Sequence, residues 1–267
     1  MTQRAYSAPS VFRPENLLRE ARRQRRLPNR PVPAVCALDP DGDIVRMLRA
    51  TGQSHPSAGW ACYHTQMDVT CHRGFTLGIV GLAVGAPFAV LVAEQLFVSG
   101  CQLLVSMTSA GQIRPMGTTV GPARYFVLID RALRDEGTSG HYLPPSPCVE
   151  GDAPLLARVW PALRALSLPV HRGMTWTTDA PYRETEHAIA AARAQGALAV
   201  EMEAAALYAF ARARERDVLC FAHVTNRMAV DEGDFEKGEA DGAGDSLDLI
   251  VAAARACGFG DQGETAC

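Results

Sequence analysis

The chain has 267 residues, of which 48% are hydrophobic and 21% charged, a composition typical of soluble globular domains. A chain of this length can bury one large core, so we expect a single α/β domain. The formal net charge of −3 gives no overall attraction to nucleic acid, so we expect no nucleic-acid partner.

The eight cysteines are scattered and form no Cys-x-x-Cys pair. We interpret them as small buried hydrophobes in a reducing compartment. The N-terminus lacks an apolar signal region, and no stretch approaches the roughly 20 apolar residues of a membrane helix. We therefore expect a cytoplasmic protein without a membrane partner.

Residues 1–31 are predicted to form an N-terminal helical extension. Pro14 lies near the first turn of a helix that ends at Leu27 and Pro28, because a proline disfavours helical geometry in the residue before it. The arginines of this extension could bind an anion, but a solvated helix face or a subunit contact is the preferred interpretation. They are Arg19, Arg22, Arg23, Arg25, Arg26 and Arg30.

Strands and helices alternate through residues 32–257, the predicted main domain. Residues 258–267 are predicted to be a frayed C-terminal tail. The predicted strands are 32–38, 75–81, 102–107, 125–129, 171–176 and 218–224, and the predicted helices are 44–50, 88–98, 184–194 and 247–256. The alternation predicts a central, mostly parallel mixed sheet flanked by helices on both faces.

An acidic pair, Glu201 and Glu203, flanks Met202 between an apolar run and an alanine-rich stretch. Carboxylates are costly to bury unless something binds them. The pattern predicts a strand end that leads into a helix, where α/β enzymes place their ligands. A carboxylate there can accept hydrogen bonds from two neighbouring hydroxyls, as a sugar diol offers. A partly buried salt-bridged pair on an ordinary helix is the alternative interpretation.

Other predicted strand ends also carry polar or glycine-rich residues, and these can converge at one edge of the sheet. They are residues 39–43, 81–87, 106–112 and 225–227. Ser109 can alternatively be a cap of a helix after the third of these strands. Residues 231–239 are rich in acids but lack the Asp/Asn-Gly calcium pattern, so we expect a solvated loop and no metal site.

The segment from Glu201 to Ala205 resembles the EMEAA motif of the nucleoside phosphorylase superfamily. That family includes purine nucleoside phosphorylases, uridine phosphorylases and methylthioadenosine nucleosidases. Residues 81–87, 109–111 and 177–182 resemble further family segments in the same order. Residues 224–227 are most similar to uridine phosphorylases, and the resemblance covers most of residues 32–255.

The resemblance implies a pentosyl-transferring glycosyltransferase that splits a ribonucleoside with phosphate into free base and ribose 1-phosphate. It implies inorganic phosphate as co-substrate, no metal or organic cofactor, and a homo-oligomer. It assigns catalysis to Glu203, Asn226 and Arg227. The implied ligand contacts are Glu201, Met202 and Glu203 for ribose, Gly111, Tyr182, Asn226 and Arg227 for the base, and Gly42 and Ser109 for phosphate.

Two departures from the family pattern concern phosphate. Residues 39–43 form an acidic loop where phosphorylases carry a Gly-Asp-Pro-x-Arg type loop, and Ser106 fills a second arginine position. Two bidentate phosphate ligands are therefore missing. If the chain is a phosphorylase, an arginine from the N-terminal helix or from a neighbouring subunit is the preferred source of the compensating positive charge. A hydrolytic nucleosidase, with Asp41 as the base that activates water, is the first alternative. It carries an aspartate where this chain has Asn226. An inactive nucleoside-binding protein is the second alternative.

Overall fold

The computed structural model describes residues 5–116, 124–227, 235 and 237–260. The α-helices in these ranges are α1 (Pro14–Arg25), α2 (Asp43–Ala50), α3 (Ala86–Val98), α4 (Ala153–Arg164), α5 (Glu186–Ala194), α6 (Ala204–Arg214) and α7 (Ala243–Ala256). The strands are β1 (Val35–Asp39), β2 (Ser54–Pro56), β3 (Asp68–His72), β4 (Phe75–Gly81), β5 (Leu103–Gln112), β6 (Tyr125–Asp135), β7 (Cys148–Glu150), β8 (Val170–Thr178), β9 (Ala199–Glu201) and β10 (Asp217–Asn226).

These ten strands form one mixed sheet, in agreement with the predicted architecture. β1 lies between β4 and β5, parallel to both. β5 also pairs in parallel with β10, and β8 pairs in parallel with β6 and β9. Antiparallel pairs join β10 to β6 and β9 to β5. As a result β5, β10, β6, β8 and β9 close into a ring, which the linear alternation of elements does not predict.

Helices cover both faces of the sheet. α3 and α6 pack on one face, where Leu104 and Phe210 belong to one buried cluster. α2, α4 and α7 pack on the other face, where Val105 and Leu247 belong to a second cluster. Because side chains alternate along a strand, neighbouring residues at the end of β5 point toward different helix layers.

The end of β5 departs from the sequence prediction. The predicted strand ends at residue 107, but the observed strand continues through residues 108–111 to Gln112. The reason is pairing from both sides: Ser109 lies opposite His223 of β10, and Gly111 lies opposite Val200 of β9. Ser109 therefore lies within a strand, and its alternative role as a helix cap is wrong.

Several elements begin or end away from their predicted positions. α1 ends at Arg25, where Arg26 adopts a left-handed conformation (φ 56°). α4 and the strands β2, β3 and β7 are absent from the prediction. The start of α4 has a recognisable signal, because the carboxylate of Asp152 accepts a hydrogen bond from the backbone N–H of Leu155 at 2.7 Å, as at many helix N-termini.

The cysteines follow the prediction in part. Cys36, Cys62, Cys101 and Cys220 are free and buried, as expected for small apolar side chains. Cys71 is exposed, so the expectation of a buried side chain does not hold at that position. Among the described helices, none has the length and apolar character needed to cross a bilayer.

Candidate active site

Glu203 lies between β9 and α6, and its carboxylate is the centre of the site. Its Oε1 accepts a hydrogen bond from the backbone N–H of Gly85 at 2.7 Å, and its Oε2 accepts one from the hydroxyl of Thr108 at 2.9 Å. Gly85 precedes α3 with φ 88°, a conformation that favours glycine. Two distant segments therefore hold the carboxyl group of Glu203, a residue that is only 1% exposed.

This carboxyl group binds protons more tightly than an ordinary glutamate. Burial, followed by the charge of Glu201 and then of Asp41, raises the pKa of Glu203 to about 8. The hydrogen bonds from Gly85 and Thr108 act in the opposite direction. Near neutral pH the unliganded site therefore holds a protonated or readily protonated carboxyl, and further donors would favour its ionised form.

Glu201 has the same burial but a different set of partners. Its Oε1 accepts hydrogen bonds from the hydroxyls of Thr175 (3.0 Å) and Thr177 (2.5 Å). Its Oε2 accepts from the backbone N–H groups of Glu203 and Ala204, both at 2.7 Å. A carboxylate has about four acceptor positions, so protein donors fill all of them. Glu201 thus anchors the start of α6, and this geometry leaves it no acceptor for ribose.

Met202 connects the two carboxylates and is half-buried. Its backbone N–H lies 3.3 Å from Oε2 of Glu203. The backbone of Met202 therefore contacts the carboxyl group that the sequence assigns to ribose.

Asp41 is hydrogen-bonded to Ser109, a residue that the sequence assigns to phosphate. Its Oδ2 accepts a hydrogen bond from the backbone N–H of Ser109 at 2.9 Å. The loop that carries Asp41 turns at Gly42, which has φ 76°. The side chain of Leu82 lies 2.8 Å from where a Cβ of residue 42 would be, so a larger residue there would displace Leu82. Gly42 and Ser109 are thus brought together, with a carboxylate already bound.

Lys237 offsets the charge of this acidic loop. Its Nζ lies 2.6 Å from Oδ2 of Asp43 and 3.9 Å from Oδ2 of Asp41. Asp43 also pairs with Arg46. The sequence gives no signal for this role beyond Lys237 being the single lysine of the chain, and it points instead to the arginines of α1.

Asp39 stabilises the same loop through a buried carboxyl group. It is 2% exposed, and its Oδ2 accepts a hydrogen bond from the backbone N–H of Val45 at 2.9 Å. Burial, then the charges of Asp43 and Asp41, raise the pKa of Asp39 to about 7 despite that hydrogen bond. Asp39 is therefore a structural carboxyl group at the start of α2.

The residues assigned to the base lie at the ends of neighbouring strands. Asn226 ends β10, is 7% exposed, and lies opposite Gly111 of β5. Its Nδ2 donates to the hydroxyl of Thr225 at 3.3 Å. Arg227 follows and is exposed. The structure therefore brings together Gly111, Asn226 and Arg227.

Tyr182 is not brought into this group. It lies in a short 3₁₀ segment, Pro181–Arg183, and its side chain is fully exposed. It covers no apolar surface in this conformation, so its predicted stacking on the base gains no support from the fold.

His223 is buried and lies on β10 opposite Ser109. It stacks on Phe126 with ring centroids 4.5 Å apart. Burial, together with the positive charge of Lys237, lowers the pKa of His223 to about 4, so it is neutral at pH 7. Within the described ranges no group of His, Cys, Asp and Glu has the arrangement of a metal site. Residues 231, 232, 234 and 236 of the predicted acidic loop lie outside those ranges.

Comparisons with known proteins agree with this architecture. Over 111 residues the chain is 25% identical to a uridine phosphorylase of Thermococcus kodakarensis, a match that covers 42% of this chain and 39% of that relative. The match thus spans about two fifths of the relative's length.

Two solved structures share the fold. A uridine phosphorylase of Vibrio fischeri ES114, complexed with 6-hydroxy-1-naphthoic acid, gives a TM-score of 0.67 at 19% identity over 88% of this chain and 94% of that chain. A second structure of uridine phosphorylase from that organism gives a TM-score of 0.66 at 19% identity over 88% and 95%.

The family described as the phosphorylase superfamily matches residues 29–255. This range includes Asp41, Gly85, Ser109, Glu203 and Asn226, the residues around which the site is built. The chain therefore belongs to the phosphorylase superfamily.

Proposed function

We propose that the chain is a nucleoside phosphorylase, more similar to uridine than to purine nucleoside phosphorylases, that cleaves the N-glycosidic bond of a ribonucleoside with phosphate. The observation that carries the proposal is the buried carboxyl of Glu203, held by Gly85 and Thr108 beside Met202. Family membership and the names of the similar proteins support the same reaction class.

Glu203 is suited to bind the sugar. Three protein donors, from Gly85, Thr108 and Met202, leave about one acceptor position free. A ribose hydroxyl that donates there favours the ionised carboxylate. Its negative charge then stabilises the oxocarbenium-like sugar that forms as the glycosidic bond breaks. Met202 provides a polarisable apolar surface beside the sugar.

Asn226 and Arg227 are suited to bind the leaving base. Both lie at the end of β10, next to Gly111 of β5. An amide and a guanidinium supply hydrogen-bond donors to a base that gains negative charge in the transition state. Glu201 has a positioning role, because it fixes the start of α6 and the backbone N–H of Glu203.

Phosphate must compete with Asp41 for the backbone N–H of Ser109. The Nζ of Lys237 lies 3.9 Å from the same Oδ2 of Asp41, so Lys237 can hold this carboxylate when it shifts away from Ser109. We propose that this shift opens the phosphate position. We also propose that the enzyme works without a metal or organic cofactor. It is a cytoplasmic homo-oligomer in this proposal, and it acts on small molecules.

Hydrolysis is the second candidate, and the contact between Asp41 and Ser109 favours it. A carboxylate already fills the position of the anion, and in that position it can take a proton from an attacking water. The two reactions differ in whether phosphate is required.

Base release from uridine, inosine and adenosine, measured in buffers with and without phosphate, tests the proposal. Release that requires phosphate supports phosphorolysis, and equal release in both buffers supports hydrolysis. Absence of release from all three under both conditions would contradict both reactions and favour a protein that binds nucleosides without cleaving them.

A further inference from the structure

A cavity lies away from the candidate active site, between the N-terminal segment and the helices α3 and α6. Its volume is about 600 Å³, within the usual range for small-molecule sites. It is lined by Leu91 and Phe97 of α3, Phe210 of α6, Tyr142, and Phe12 of the N-terminal segment. Its walls are therefore mainly apolar and aromatic.

The cavity is separated from Glu203 along α6. Glu203 immediately precedes this helix, whereas Arg214 at its end lines the cavity. The helical rise places the two roughly 15 Å apart. Ligands in the two places would not share contacts.

Cations line one side of the cavity. Arg214 pairs with Glu94 at 3.2 Å and lies over the ring of Tyr142. Arg216 lies over the ring of Phe97, 5.6 Å from its centroid. Among the residues that the structure describes, no carboxylate lies within ion-pair distance of Arg216. The residue is exposed, so its guanidinium is available to an anion that enters the cavity beside the apolar wall.

One further polar group of the cavity lining has a free hydrogen-bonding position that a ligand would fill. Gln95, which is 2% exposed, lines the cavity, and its Oε1 has no hydrogen-bond partner within the described residues. A buried acceptor without a donor is costly, so this atom favours a ligand that carries an N–H or O–H donor in addition to its anionic group. Arg13 and Glu15 are the other charged residues of the lining, and they balance each other.

We propose that this cavity is a second binding site, for a small organic anion with an apolar body. The rings of Phe12, Phe97 and Phe210 would enclose the apolar body, and Arg216 would pair with the anionic group. Hydrogen bonds between a guanidinium and an anion are charge-assisted, so the anionic group adds affinity beyond apolar burial.

Two fluorescent probes that differ mainly in charge test the site: anilinonaphthalene sulfonate, an anion, and phenylnaphthylamine, which is neutral. The intact chain should bind the anion saturably at one site, and saturating uridine should leave that binding unchanged. Arg216→Met should weaken the anion roughly tenfold, the scale of one charged contact, and leave the neutral probe unaffected. Phe12→Ala should weaken both probes, and this exposed residue can be changed without disturbing the core.

Arg19→Met is the matched control, because Arg19 is an exposed arginine of α1 outside the cavity lining. It should change neither probe. The proposal is overturned if Arg216→Met and Arg19→Met give the same affinities, if the anion fails to saturate, or if uridine displaces it. Arg216→Met should also keep the wild-type rate of base release, so failure of this proposal and failure of the enzymatic one are distinguishable.

Discussion

The carboxylate of Asp41 accepts a hydrogen bond from the backbone N–H of Ser109 at 2.9 Å, across 68 residues of sequence. A backbone N–H aimed at an anion is a common phosphate ligand. In this chain the donor already has an anionic partner from the loop after β1. Phosphate therefore has a negatively charged competitor for this N–H group. Phosphorolysis requires that phosphate displace Asp41 from Ser109.

Replacing Asp41 with Asn separates the two reactions. In a phosphorylase, Asp41→Asn removes a negative charge from the phosphate position, so the KM for phosphate should fall, by about tenfold for one charge interaction of roughly 1.4 kcal/mol. In a hydrolase the same change removes the base, and base release should be lost. Initial rates against phosphate concentration give the answer, and loss of all activity would contradict phosphorolysis.

Replacing Lys237 with Met tests the source of the compensating charge. Its Nζ is within 2.6 Å of Asp43 and 3.9 Å of Asp41, so its loss should strengthen the hold of Asp41 on Ser109. We expect the KM for phosphate to rise by about tenfold with little change in the KM for nucleoside.

Arg23→Met is the control for this measurement, because the sequence favours the arginines of α1 and Arg23 pairs with Glu20 on an exposed face. A rise in the KM for phosphate with Arg23→Met, and none with Lys237→Met, would contradict the assignment to Lys237.

Replacing Glu203 with Gln tests the sugar site. The amide keeps the size of the side chain but cannot become a carboxylate, so kcat/KM should fall. The fall should correspond to a loss of roughly 2–3 kcal/mol of transition-state stabilisation, the scale of a charged hydrogen-bonded contact. Glu150→Gln on the exposed end of β7 is the matched control. Wild-type kcat/KM in a folded Glu203→Gln variant would refute the role of Glu203.

The pH dependence of stability gives a second test of Glu203. Its folded pKa of about 8 lies above the ordinary value of 4.5, so the folded state holds a proton that the unfolded state releases between these values. The contribution of Glu203 is therefore fully present below pH 4.5 and is lost as the pH rises toward 8. Asp39, with a pKa of about 7, acts in the same direction.

Thermal unfolding between pH 5 and pH 9 measures this effect. The wild-type Tm should fall as the pH rises, and Glu203→Gln should lessen the fall and unfold at a higher Tm than wild type at pH 9. Parallel Tm curves for the two proteins would show that the carboxyl of Glu203 is ionised throughout this range.

The sequence predicts the local parts of this structure well. β4 has its predicted bounds, and the acidic pair lies at a strand end that leads into a helix, as expected. Apolar runs and small-residue helices are local signals, so they can be read without the tertiary fold. The assignment to the family rests on the same local segments.

Contacts between distant segments account for what the sequence misses. Residues 108–111 have the composition of a turn, yet pairing with β9 and β10 makes them a strand. The Lys237–Asp43 pair joins residues 194 apart, and no local pattern marks it. Glu201 and Glu203 look equivalent in sequence, but Thr175 and Thr177 of β8 give only the first a full set of donors.

The most direct test of the central claim is the identity of the sugar product. Uridine and phosphate should be incubated with the intact chain in oxygen-18 water, and the products followed by phosphorus NMR and mass spectrometry. Phosphorolysis should give ribose 1-phosphate in amounts equal to the released base, without oxygen-18 at its anomeric carbon. Free ribose in amounts equal to the released base, without ribose 1-phosphate, would contradict phosphorolysis and identify the enzyme as a nucleosidase.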